Sequence, residues 1–309
     1  MKFEVLVLSD SPWRIVSKDE VLRLKVEVIF TYNLLPTTYH LPPITYYFII
    51  FIMNKAFFFA MSLFALATIS SCKKDDEETI TPTPTATTGS VTLEMEHMFN
   101  DLEFELGIEY TTAAGENVTL NTTKYYVSNI KFTKTDGSVF TQSESYYLVD
   151  LSADGSNLLT ISGVPTGDYT DLTFTIGVDS TRNVSGAQSG ALSVANGMFW
   201  SWNSGYIFAK FEGDCPQSSN GTFTYHLGGF TGTNSALNTG TFSFDPAIMS
   251  VSPTATPQIH MSVNIAQLFD NVDSPLLVAT SSNVQMPGAT SHDIAHNFFH
   301  GIEFEHVHN

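Results

Sequence analysis

Eight histidines stand at positions 97, 226, 260, 292, 296, 300, 306 and 308 of a 309-residue chain that has nine in all. A neutral imidazole offers a lone pair to a metal ion, and copper and zinc suit it. His292, His296 and His300 are four apart, so a helix would bring them to one face. That spacing fits a metal site, a loosely binding metal-loading tail, or a surface helix with no site at all. His306 and His308 alternate with Glu305 and Val307, which predicts a strand face shared with Ile302 and Phe304. His226 lies opposite Phe223, Tyr225 and Leu227 in period-2 order, and His260 lies opposite Ile259, Met261 and Val263. Each would face water if nothing gathers it. His97 falls on the apolar face of its strand, where a satisfied core histidine is the commoner outcome than a ligand.

The second chemical signal is aromatic. Two of three tryptophans, Trp200 and Trp202, sit in Gly197–Gly213 beside Met198, Tyr206 and Phe208. In an extended chain Met198, Trp200 and Trp202 share a face, and a core stripe is the plain explanation. An intact indole is a donor only and cannot ligate a metal through nitrogen. It touches a cation only through its ring face. Ring opening to kynurenine would expose an aromatic amine with a lone pair. Met198 would add a soft thioether.

The elements that must position these groups are strands. Val91, Leu93, Met95, His97 and Phe99 alternate with polar residues, and further strands are expected at 118–133, 145–151, 171–178, 205–212, 222–227, 241–244 and 258–266. Turn signals separate them at Ala114-Gly115, Asp136-Gly137, Pro165–Asp168 and Ser219–Gly221. A helix is expected near 291–300, with Ser291 as N-cap and Gly301 as the C′ residue. The class is all-β: an antiparallel β-sandwich with a short C-terminal helix, over residues 91–309.

Composition narrows the function. A formal charge of −18 excludes the basic footprint that nucleic acid needs. There is no G-x-S-x-G, P-loop, H-E-x-x-H or dinucleotide fingerprint, so the chain reads as non-catalytic. Cys215 has no histidine close by in sequence and reads as a spectator thiol.

The N-terminal part is an address. From Met53 the sequence runs MNKAFFFAMSLFALATISSC: a positive start at Lys55, an apolar run from Ala56 to Ile69, then small residues before Cys72. That is a secretory pattern. It resembles a bacterial lipobox, which implies cleavage after residue 71 and acylation of Cys72. Residues 53–71 are then a lipoprotein signal peptide. Residues 1–52, preceding a complete signal, read as a mis-called extension. Residues 72–90 are an acidic, then Pro/Thr-rich linker. The expected location is the outer membrane, periplasmic or surface-exposed, with the membrane reached through the lipid anchor.

Residues Gly197–Tyr206 (GMFWSWNSGY), followed by Phe223–Gly228 (FTYHLG), resemble the MbnP-like family, a methanobactin-associated group of copper-binding proteins related to MopE and CorA. Tyr125–Ile130, Gly167–Tyr169 and Gly177–Asp179 add to the likeness. The resemblance implies a β-sandwich that binds copper through histidines and, in some members, a tryptophan oxidised to kynurenine by a partner di-haem enzyme of the cytochrome c peroxidase/MauG type. It implies His226 and His97 as nitrogen ligands and Trp200 or Trp202 as the oxidation target or a π-face contact. Met198 is a candidate soft ligand, with His260, His292, His296 and His300 as a secondary set. Some relatives carry Trp-x-His where this chain has Trp200-Ser201-Trp202, and some carry cysteines where it reads Gly228–Gly232. The alternative is a metal-free surface sandwich binding a glycan or protein, with the tryptophans as core or as an exposed stacking platform.

Overall fold

A computed structural model describes residues 5–9, 11–16, 87–186, 188–200, 205–271 and 275–309. The chain divides into two compact units, Met1–Ile80 and Thr81–Asn309. In the first, two short strands, Val5–Ser9 and Ser11–Val16, form an antiparallel pair. The signal peptide at 53–71, Cys72 and the linker up to residue 86 lie outside the described residues, as do most of residues 1–52.

The second unit is all-β, as expected. Its main strands are β1 (Thr88–Phe99), β2 (Asn117–Lys134), β3 (Tyr146–Asp150), β4 (Leu158–Pro165), β5 (Gly167–Ile176), β6 (Ala209–Asp214), β7 (Thr222–Leu227), β8 (Asn238–Ser243), β9 (Gln258–Asn264) and β10 (Ile302–His308). The large sheet runs β8-β5-β2-β6-β7 and ends on Asn283–Val284, with β3 also paired to β2. The small sheet runs β10-β9-β1-β4. Most pairs are antiparallel; β1 with β9, and β7 with Asn283–Val284, are parallel. Of these strands, β4 carried no sequence expectation.

Alternation explains the core. Val91, Leu93 and Met95 of β1 and Ile259, Met261 and Val263 of β9 are fully buried, while their sequence neighbours are not. From the large sheet, Tyr125, Phe211, Tyr225 and Leu227 point the same way and are likewise buried. Each such side chain contributes about 1.5–3 kcal/mol on leaving water.

Among the described residues the unit also has three α-helices: α1 (Ser180–Asn183), α2 (Gln267–Asp270) and α3 (Ala289–His300). α3 starts two residues earlier than expected, with Gly288 as N-cap. Ser291 instead lies in the first turn, where its hydroxyl donates to Gly228 O (3.3 Å) and accepts from Gly228 N (3.1 Å). Phe298 anchors the helix, its ring meeting Tyr125 and Phe211 edge-on at 5.1 and 5.0 Å. Gly301 ends the helix in a right-handed conformation, φ −78°. Its glycine is needed for room, because a Cβ would fall 2.4 Å from Asn264 O.

β10 departs from strict alternation. Its pairing with β9 slips between Phe304 and His306, leaving Glu305 as the extra residue of a β-bulge. Ile302 and Phe304 pair with Val263 and Met261 of the core side, but His306 and His308 pair with His260 and Gln258. The expected face shared by His306, His308, Ile302 and Phe304 is therefore corrected. The bulge resets the phase, so the two histidines emerge on the outer face.

Candidate metal centre

The outer face of the large sheet carries His226. Directly opposite it on β6 is Lys210, and next on that face is Glu212. The His226 Nε2 lies 2.7 Å from Glu212 Oε1, which fixes the ring and directs Nδ1 elsewhere. Burial, helped by the Lys210 charge, lowers the His226 pKa, and the Glu212 hydrogen bond resists this. Burial would raise the Glu212 carboxyl, but its hydrogen bond to His226 and the charge of Lys210 outweigh that and hold it low.

Residues 179–186, 188–200 and 205–206 lie off this sheet, and several of them pack against this face. Asp179 caps α1 by accepting from Thr181 N at 2.9 Å, and it also receives hydrogen bonds from Asn129 and Tyr146. The hairpin Phe199–Trp200/Gly205–Tyr206 follows. Tyr206 meets Tyr126 edge-on at 5.9 Å, and Lys210 Nζ donates to Gly197 O at 3.3 Å. Trp200 packs on Gly228, two residues past His226. A Cβ at Gly228 would come within 2.7 Å of the indole, so the His-Leu-Gly glycine makes space for that ring. Trp200 is 5% exposed and Met198 fully buried. Trp202 lies outside the described residues.

His97 does not join this group. Its Nε2 is 2.9 Å from Tyr125 Oη. Tyr125 pairs with Ala209, which pairs with Leu227, and all three face the core. His226, one residue from Leu227, faces out. The expected pairing of His97 with His226 is corrected on this ground: the large sheet stands between them. Burial pushes the His97 imidazole down to about 4. It is a neutral core residue that ties the small sheet to the large one.

Other histidines gather as two clusters. On α3, His296 and His300 bring their Nε2 atoms to 3.0 Å. His292 stacks with His296 at 6.0 Å, and its Nδ1 is 2.7 Å from Ser235 O. On the small sheet, His260 stacks on His306 at 4.2 Å and meets His308 edge-on at 5.1 Å. Among the described residues, His260, His306 and His308 are the set of three whose ligand atoms all lie within 4.8 Å of one another. The sequence reading had His260 with the helix histidines and missed its neighbours, because His260 and His306, 46 residues apart in sequence, meet only through sheet register. Cys215 is buried and unpaired by disulfide.

Fold and site together define an all-β sandwich carrying imidazole clusters and a buried indole on its outer faces. The chain belongs to the MbnP family, whose sequence profile matches residues 88–286. Among solved structures it is similar to MbnP from Methylosinus trichosporium, at 18% identity, over 66% of this chain and 82% of that one, with a TM-score of 0.41. No curated protein matches.

Proposed function

We propose that this protein is a non-catalytic copper-binding protein, held outside the cytoplasm at the outer membrane by a lipid on Cys72, that acquires or stores the metal. The observation carrying this reading is the packing of Trp200 onto Gly228, two residues past His226. Family membership supports it. The described residues fit a copper ion in part. His226 is an imidazole oriented by a carboxylate, as metal-binding histidines commonly are. Met198 is buried in the same segment as Trp200. Intact Trp200 supplies no lone pair, so the set is completed at Trp200 or Trp202 by oxidation to kynurenine, in which a di-haem partner using peroxide as oxidant cleaves the indole C2–C3 bond with addition of two oxygen atoms and hydrolysis then releases formate. Copper bound there would be cargo, and the protein's part is to hold and shield it.

The glycan-binding alternative loses one support, since an indole 5% exposed offers no stacking platform. The test is metal analysis and peptide mapping of protein isolated from its own host, with His226→Gln and Trp200→Phe alongside. Copper that is lost in both variants, and a ring-opened residue at 200 or 202, are expected. A copper-free protein that gains none on titration overturns the proposal.

A further inference from the structure

We infer a separate cation site on the small sheet: His260, His306 and His308 bind one late first-row divalent ion, Zn2+ or Cu2+, through imidazole nitrogens, with Glu94 orienting His260. The site uses no residue of the proposed copper centre, and two of its ligands lie beyond the span matched by the family profile.

Three observations carry it. First, the Nε2 atoms of His306 and His308 are 3.1 Å apart. Two nitrogens on one tetrahedral zinc, each at 2.0–2.1 Å, are separated by about 3.3 Å. The pair is already spaced as ligands of one ion. Second, the His260 Nδ1 is 3.2 Å from Glu94 Oε2, while its Nε2 is buried and meets no hydrogen-bond partner from the protein. A carboxylate on one ring nitrogen with the other left for a metal is the common arrangement of metal-binding histidines. A buried nitrogen without a partner otherwise carries a desolvation cost of about 1–3 kcal/mol. Third, a cleft of about 730 Å3 runs beside His260 and is lined by Glu94, Glu96, Glu103, Glu105 and Asp154. Carboxylates of one sign in a cleft raise the local concentration of cations. His306 and His308 are exposed, and one ligand atom from each of the three rings lies within 4.8 Å of the others. Three imidazoles leave a position for water, and this donor set suits zinc and copper over magnesium or calcium.

The test is titration of the metal-stripped full chain with Zn2+, and separately Cu2+, against a chromogenic competitor, with histidine ring resonances followed by NMR. One Zn2+ per chain should shift the ring resonances of His260, His306 and His308, and Cu2+, being paramagnetic, should broaden the same resonances. His306→Asn/His308→Asn, two exposed changes that spare the fold, should weaken binding about 100-fold or more. Glu94→Gln should weaken it about 10–100-fold with the ligands intact. His226→Gln should leave it unchanged, which separates this site from the copper reading. The inference is overturned if neither ion binds, if the double variant binds as tightly as the parent, or if the three rings stay unshifted at Zn2+ saturation.

Discussion

The α3 row and the β9–β10 cluster each hold three histidines, yet only the second brings three ligand atoms together. Residues i, i+4 and i+8 of a helix are stacked along its axis, spanning about 12 Å at 1.5 Å per residue. Such a row makes good pairs, and His296 with His300 is one. It cannot surround an ion, and His292 turns instead to Ser235. A sheet works in two directions. His306 stands across from His260 and His308 follows two residues on along the same strand, which gives a triangle. Regular spacing in sequence therefore marks a line, and a compact ligand set comes from register.

The largest effect that would sharpen this contrast is at Phe298. Phe298→Ala removes the ring that seats α3 on Tyr125 and Phe211, and should cost about 3–5 kcal/mol in chemical denaturation. While the protein remains folded, Zn2+ binding at the strand cluster should persist, because β10 is held by its ladder to β9 rather than by the helix. Loss of binding in the folded variant would show that the two regions are one unit.

His97 offers the next effect, as a buried histidine belonging to neither cluster. Its folded pKa, about 4, lies below the unfolded value near 6.5. The unfolded chain therefore binds more protons between these limits. The stabilisation is complete above about pH 6.5 and is lost as pH falls towards 4, amounting to about 3 kcal/mol at most. His97→Gln should flatten that part of the stability–pH curve, read by denaturation at a series of pH values. An unchanged slope would mean that the ring is solvated in solution.

Deleting Glu305 attacks the comparison directly. With the extra residue gone, Phe304 is followed directly by His306, so strict alternation keeps His306 and His308 on the outer face opposite His260 and Gln258, and Zn2+ affinity should stay close to the parent's by titration. The α3 histidines should be unaffected in their NMR shifts. Smallest is the effect of His296→Asn/His300→Asn. Both side chains are exposed, so stability should move by no more than about 0.5 kcal/mol, and the strand-cluster titration should match the parent's.

Sequence reading caught the features that depend on near neighbours. The alternation in β1, β2, β7 and β9 marked strands and placed His226 and His260 on their polar faces, where the structure has them. The spacing of four marked α3 and its histidine face. Reading failed where a residue's role depends on distant partners. Nothing in the sequence near Gly301 tells that Asn264 O will lie against it. The bulge at Glu305 has no compositional mark, so the phase of His306 and His308 was misread. Glu94 gave no sign of its partnership, because it meets His260 through a parallel pairing of strands 166 residues apart.

The chain's own pattern determined an all-β sandwich and its place in the MbnP family, whose profile matches residues 88–286. Periodicity is local, and burying one face of each strand is enough to enforce it. Tertiary structure alone decided which imidazoles meet. It put His97 inside and His226 outside one sheet, laid Trp200 on Gly228, and turned His306 and His308 toward His260. Those outcomes rest on strand register and one inserted residue, and a shift of one position exchanges the two faces of a strand.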